Sequence, residues 1–186
     1  QNLEETLNLI RDSLSDDGVF VLETPSFLEV LKYNAFDQFY HEHQSYFSYV
    51  SVKNIVEKLG MRVFDLEMYP VHGGTYRFFI CKENANHSNK VQNKYLDNEM
   101  RFGIDDYSNL CGVMDIMKSN MVNIKSMLED LKKSGKTIVG YGATAKFTNV
   151  MNMCGLNNNH IDYVLDTTPL KNNKKDVSTV SRQVSS

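Results

Sequence analysis

Leu3, Leu7, Ile10 and Leu14 recur at helical spacing over residues 3–14, with Glu4 and Glu5 in the first turn. The pattern predicts an amphipathic helix whose charges suit its dipole. After the turn Asp16-Asp17-Gly18, the run Val19-Phe20-Val21-Leu22 is apolar without a break, as expected of a strand buried on both faces of a parallel sheet. Pro25 closes it, so Glu23, Thr24 and Pro25 stand just past a strand's carboxyl end, where α/β sheets keep functional residues. Residues 26–38 read as a short helix and a loop. Val52, Ile55, Val56 and Leu59 mark the buried stripe of the next helix, which Ser48 or Ser51 can cap and Gly60 stops. Residues 61–69 and 75–82 then read as two strands joined by Pro70-Val71-His72-Gly73-Gly74, an antiparallel hairpin that finishes a mixed sheet.

Residues 83–95 are polar and Asn-rich and predict a linker. A helical pattern from about Asp105 to Lys133 follows, with Val113, Ile116, Met117, Met121, Ile124, Met127, Leu128 and Leu131 on its apolar side and Gly135 at its end. Residues 137–142 read as a strand running into a Gly-rich turn, 147–154 as a helix, and 161–165 as a second buried strand ending at Asp166. The fold class expected is therefore α/β. Residues 1–83 form a mixed sheet with its helices, 84–104 a linker and helix start, 105–172 the beginning of a second α/β domain, and 173–186 a polar tail expected to be disordered.

Composition narrows the function without naming it. The net charge of −3 and the lack of a basic tract argue against a nucleic-acid partner. No apolar run reaches the roughly 18 residues that span a bilayer, so no membrane partner is expected. Cys81, Cys111 and Cys154 are widely spaced and odd in number, which fits reduced thiols in a cytoplasmic protein and neither a disulfide framework nor a zinc pattern. Gln1 and the missing strand before the first helix suggest an internal piece of something longer.

The chemistry concentrates in Phe39-Tyr40-His41-Glu42-His43. Imidazole titrates near neutrality and is the usual general base, a neighbouring carboxylate can orient its tautomer, and a phenol can donate to a developing oxyanion. A base, an orienter and an electrophile in four positions suit proton removal beside a carbonyl. Two other readings stay open: His41 and His43 as metal ligands on one strand face, or a solvated loop without a catalytic role. In His72-Gly73-Gly74 the glycines serve a hairpin turn, or let a ligand approach the backbone with His72 and Arg77 facing its polar groups. Gly140-x-Gly142-x-x-Ala145 fits the G-x-G-x-x-G/A fingerprint, with Asp162 or Asp166 about 20 residues on and Lys146 as a charge for phosphate. An NAD-dependent oxidoreductase is the alternative this loop supports; a plain strand–helix corner is the other.

The segments Phe36-Asp37-Gln38-Phe39-Tyr40-His41-Glu42-His43, Ser45-Tyr46-Phe47-Ser48 and His72-Gly73-Gly74-Thr75-Tyr76-Arg77, together with Gly140–Lys146 and Asp166-x-x-Pro169-x-Lys171, resemble S-adenosylmethionine-dependent sugar C-methyltransferases. That family methylates TDP-linked 4-ketohexoses at C-3. The resemblance runs from about residue 3 to 172. It implies the C-terminal half of a class I methyltransferase (Rossmann-like) domain, followed by the start of a Rossmann-like C-terminal domain. It implies His43 as the base, with Tyr40 and Glu42 supporting it. It also implies a nucleotide-sugar surface drawn from His41, His72, Gly73, Gly74, Arg77, Tyr141, Gly142, Lys146 and Lys171. The family's zinc cysteines and S-adenosylmethionine loop have no counterpart in this chain, which is expected to be inactive alone. Phe147 stands where the family usually has Gly. A non-catalytic sugar-nucleotide binding module is a further alternative.

Overall fold

The computed structural model describes residues 2–169. Its elements are α1 (Leu3–Ser13), β1 (Phe20–Pro25), α2 (Phe27–Lys32), α3 (Tyr49–Lys58), β2 (Met61–Tyr69), β3 (Thr75–Lys82), α4 (Lys94–Phe102), α5 (Tyr107–Lys133), β4 (Val139–Tyr141), α6 (Ala145–Met153) and β5 (Tyr163–Leu165). They fall into two compact units. The first takes the chain up to Tyr33 and Ser45–Cys111; the second takes Asn34–Gln44 and the chain from Gly112 onward.

In the first unit β3 lies between β1 and β2 and pairs antiparallel with both, from Phe20↔Ile80 to Pro25↔Thr75 on one side and Met61↔Lys82 to Tyr69↔Thr75 on the other. The hairpin agrees with its sequence pattern. The first strand does not: β1 has an antiparallel partner, no parallel one among the described residues, and leaves Val21 about half exposed. An unbroken apolar run identifies a strand, but its pairing depends on which neighbour reaches it.

One face of the sheet packs Met61, Val63, Leu66, Tyr76, Phe78 and Ile80 against Leu7 of α1, Tyr49, Val52 and Val56 of α3, and Tyr95 of α4. A bulge between Val63 and Asp65 turns Phe64 to the opposite face, where it meets Cys81 and Ala85. The stretch expected to be a linker covers that face. Arg62 donates to the carbonyls of Glu83, Ala85 and His87 at 3.2, 2.9 and 2.7 Å, the His87 ring stacks on Phe64 at 4.5 Å, and Lys90 N–H donates to the Phe64 carbonyl. Polar composition concealed this role because these hydrogen bonds run through the backbone of the stretch, and on this face only Ala85 and His87 pack with their side chains.

The α3 N-terminus shows why α4 belongs here too. Ser48 and Ser51 form a capping box. The Glu99 carboxylate of α4, fully buried, accepts from the next amides, Tyr49 at 2.6 Å and Val50 at 2.9 Å. The buried Tyr76 phenol and the Ser26 hydroxyl, which caps α2, lie beside it.

In the second unit β4 and β5 pair parallel, from Val139↔Tyr163 to Tyr141↔Leu165, with α6 as the crossover between them. Gly135, in the left-handed region, follows the end of α5. Asp162 joins the helix to the sheet: it accepts from Lys132 Nζ at 2.8 Å and from the Ile138 amide at 2.8 Å. Phe147 packs so closely over Gly140 that a Cβ there would stand 2.9 Å from its ring. The departure at position 147 is thus accommodated by the glycine of the preceding strand. The tail from 173, like Lys171, lies outside the described residues.

Glu99→Ala leaves two helix amides without their acceptor and is expected to cost about 3 kcal/mol. Burial holds the Glu99 carboxyl above its usual range, the amides and Tyr76 offsetting this in part. The folded state therefore binds that proton more tightly than the unfolded chain, and the stability it lends falls as pH rises through the raised value. Melting temperatures of wild type and Glu99→Gln, followed from about pH 4 to about pH 8, test the sign. The wild-type advantage should shrink with rising pH, and a constant difference would reject the assignment.

Candidate functional site

The chain leaves the first unit after Tyr33, and Asn34–Gln44 folds as part of the second. One turn of 3-10 helix, Phe36–Gln38, opens this excursion with Phe36 and Gln38 buried. A tight turn follows, closed by the His43 amide donating to the Tyr40 carbonyl at 2.9 Å. It brings residues 40 and 43 to the same side. The Tyr40 hydroxyl lies 2.8 Å from His43 Nε2, and the two ring centroids are 4.1 Å apart. His43 Nδ1 is 3.0 Å from the Gln38 carbonyl oxygen.

These two distances fix the protonation pattern of the neutral ring. A carbonyl oxygen can only accept, so Nδ1 carries the hydrogen and donates it. Nε2 then holds the lone pair, and the Tyr40 hydroxyl donates to it. The ring is half-buried, with its basic nitrogen paired to a phenol.

The other two members of the cluster sit differently. His41 and Glu42 are largely exposed, and their nearest ring nitrogen and carboxylate oxygen are 3.9 Å apart. A backbone carbonyl, rather than Glu42, is therefore the group that orients His43. The two imidazoles are not a matched metal pair either. Both nitrogens of His43 already have protein partners, and among the described residues no three His, Cys, Asp or Glu side chains gather as a metal site would require.

Behind the excursion stands α6. Lys146 Nζ is 3.7 Å from Asp37 Oδ2, and Asn149 Nδ2 donates to the Phe36 and Asp37 carbonyls, each at 3.2 Å. The lysine expected to face phosphate thus has a carboxylate beside it.

The Gly-rich turn before α6 is also engaged. Gly142, in the left-handed region, donates its amide to the Leu165 carbonyl at 2.7 Å, and Thr144 caps the helix. The buried Asp166 carboxylate accepts from the Ala143 amide at 2.7 Å and from Thr168 at 2.8 Å. A dinucleotide pyrophosphate over this turn would meet that carboxylate instead of open amides. Asp162, the other acid at fingerprint spacing, is bound to Lys132 and Ile138. The geometry is that of a self-contained strand–helix corner, with Tyr141 exposed beside it at 80%.

The hairpin residues lie in the first unit. His72 adopts a left-handed conformation and is exposed; Gly73 and Gly74 line a cleft of about 580 Å3 with Glu29, Tyr33, Met68, Tyr69 and Pro70. At Gly74 (φ 127°) a Cβ would meet Glu29 Cγ at 2.8 Å, so the glycine is required for close approach as well as for its φ. Arg77 is bound within the sheet: it pairs with Glu23 at 2.8 Å, donates to the Tyr69 hydroxyl at 2.9 Å and lies over the Tyr69 ring. Gln38, Asn149 and Glu29 were absent from the sequence expectations. Nothing in their spacing distinguishes them, because two act through backbone carbonyls and the third through proximity in space.

The molecule so described is an α/β protein with an antiparallel three-stranded sheet and a parallel β-α-β corner, and with a phenol–imidazole pair held beside the corner's helix. Residues 70–179 match the family of the C-methyltransferase C-terminal domain, and the chain belongs to that family. It is also 34% identical over 174 residues to the C-methyltransferase NovU of Streptomyces niveus. That match covers 93% of this chain and 41% of NovU, so the chain spans less than half the length of this relative. His43 precedes the segment that matches the domain family. No described helix is long and apolar enough to cross a membrane.

Asp166→Ala is expected to destabilise the corner by about 1 kcal/mol by removing the acceptor of two part-buried amides, and to speed hydrogen exchange at Ala143 and Thr168. Unchanged exchange at both amides would show that the carboxylate is not their acceptor.

Proposed function

We propose that this chain is part of an S-adenosylmethionine-dependent C-methyltransferase that methylates a carbon next to a ketone on a nucleotide-linked sugar, with His43 as the general base. The reading extends to the C-3 position of a TDP-linked 4-ketohexose, to a class I methyltransferase half-domain in the first unit and to a Rossmann-like start in the second. Membership of the C-methyltransferase family and the name of the relative support the class of reaction. The observation that carries the role of His43 is its geometry: a neutral ring locked by Gln38 so that Nε2 is the basic atom, with a phenol against it.

A ketone acidifies the hydrogen on the neighbouring carbon. As substrate enters, the Tyr40 hydroxyl turns its donor from Nε2 to the ketone oxygen. That one rotation frees the lone pair for the carbon-bound proton and places a donor where negative charge develops. Nε2 takes the proton, and the Nδ1–H bond to Gln38 holds the ring in register as it becomes imidazolium. The methyl donor, S-adenosylmethionine, supplies an activated methyl group for the carbon so exposed. The Gly-rich turn of this chain does not fit that donor, since the Asp166 carboxylate holds its Ala143 amide, and no residue here is assigned to it. Zinc belongs to the family's N-terminal domain and has no assigned ligand in this chain. In the first unit His72, Gly73 and Gly74, with Glu29 and Tyr69 in the same cleft, are proposed as sugar-nucleotide-binding residues; in the second unit Tyr141, Gly142 and Lys146 are.

The test uses the intact protein that contains this chain. His43→Ala is expected to lower methyl transfer roughly a thousandfold with S-adenosylmethionine affinity unchanged. It should also stop deuterium washout at the sugar carbon in heavy water. Tyr40→Phe is expected to lower turnover about a hundredfold. Washout that survives His43→Ala would move the base elsewhere. Calorimetric binding of NAD without S-adenosylmethionine would favour the oxidoreductase, and TDP binding without turnover would favour a binding module.

A further inference from the structure

We infer that Asn149 is a positioning residue for His43: from α6 it sets which imidazole nitrogen carries the proton. The inference builds on the proposed role of His43 as base, but its structural part stands on geometry alone. Asn149 Nδ2 bridges two successive carbonyls, Phe36 and Asp37, each at 3.2 Å. The next carbonyl, Gln38, accepts from His43 Nδ1 at 3.0 Å. All of these residues belong to one compact unit.

Three consecutive carbonyls leave this short turn, and their directions are linked, because rotating one peptide plane swings its neighbours. Two are held by the amide of Asn149; the third then faces the ring. Lys146, one helical turn earlier on the same face of α6, holds the turn's Asp37 carboxylate at 3.7 Å. The side chain of Gln38 is buried, so the peptide that orients the ring has little room to reorient while α6 stays in place. The ring of an unconstrained histidine side chain prefers its hydrogen on Nε2. In this chain the Gln38 carbonyl imposes the opposite form, and that form leaves Nε2 as the basic atom facing Tyr40. Releasing the turn lets the ring relax to the other tautomer, in which Nε2 cannot accept a proton.

His160 supplies an internal control in the same unit. Its Nδ1 lies 3.1 Å from the Asn157 amide and 2.9 Å from Asn157 Oδ1, its Nε2 faces Glu129 at 3.5 Å, and none of these partners touches the 36–38 turn. Long-range proton–nitrogen correlation spectra of the full chain with labelled histidines, at a pH where the rings are neutral, read both tautomers at once. In wild type, His43 is expected as the Nδ1–H form, and the His160 signal serves as the reference. In Asn149→Ala, His43 should shift to a predominantly Nε2–H form while His160 keeps its signal. Asn149→Asp preserves size and packing but turns the donor into an acceptor, and it should give the same change if the alanine variant fails to fold. A His43 that stays in the Nδ1–H form in either variant, with the His160 signal intact, overturns the inference whatever the protein catalyses. In the intact enzyme, Asn149→Asp should lower kcat roughly a hundredfold and leave KM for the nucleotide sugar within about twofold. Loss of turnover together with an unshifted tautomer would assign Asn149 to something other than positioning.

Discussion

Strand β3 is the constraint on which the first unit depends. It is paired along both edges, and Tyr76, Phe78 and Ile80 on its inner face have essentially no exposure. Its polar groups do as much as its apolar ones. Tyr76 stands beside Ser26, the cap of α2, and beside Glu99, which holds the first amides of α3. Arg77 ties Glu23 of β1 to Tyr69 of β2. The carbonyl of Gly74, just before the strand, accepts from the Ser26 amide at 2.9 Å. Two helix starts and both flanking strands are therefore referred to one strand.

The second unit solves a different problem. Its candidate base lies on irregular chain, where backbone entropy works against a defined geometry. The sequence suggested that Glu42 would orient His43 because it is adjacent and acidic. The fold uses the Gln38 carbonyl instead. A carboxylate partner would add a full negative charge beside the ring and favour the imidazolium. A peptide carbonyl directs the hydrogen without that charge, as a base that must begin neutral requires. Tyr40 then serves as the partner of the lone pair, a role that spacing alone left undetermined between base support and oxyanion donor.

What could be read from the sequence follows from the range of each interaction. Helical stripes such as Val52, Ile55 and Val56, the hairpin around Gly73 and Gly74, and the stop at Gly135 are local, and periodicity with turn chemistry located them. The pairing of β1, the packing of Ala85 and His87 against Phe64, and the cap that Glu99 supplies to a helix some 50 residues earlier are non-local. Each rests on a backbone group or on an unremarkable polar side chain whose partner is distant in the chain. The Gly140–Ala145 fingerprint left two readings open for a related reason. Spacing specifies a tight strand–helix corner, whereas the use of its amides depends on Asp166 reaching back from the next strand. At the candidate site, Tyr40 and His43 were legible as residue types, while Gln38 and Asn149 were not.

The dependence of the base on α6 has an energetic origin. Ordering the segment Asn34–Gln44 costs about 1 kcal/mol or more of backbone entropy per residue. Its own turn bonds, from the Phe36, Gln38, Phe39, Tyr40 and His43 amides to the Asn34, Ala35, Phe36, Gln38 and Tyr40 carbonyls, return only about 1 kcal/mol each. Burial of the Phe36 side chain adds roughly 2 kcal/mol. Local interactions therefore fall short of holding the segment in one conformation. The remainder must come from contacts distant in sequence, and α6 supplies them through Lys146 and Asn149, more than a hundred residues along the chain. A base built this way acquires its orientation only when the segment and α6 are folded together, so the chemistry of His43 is a property of the whole second unit and not of the five-residue motif that carries it.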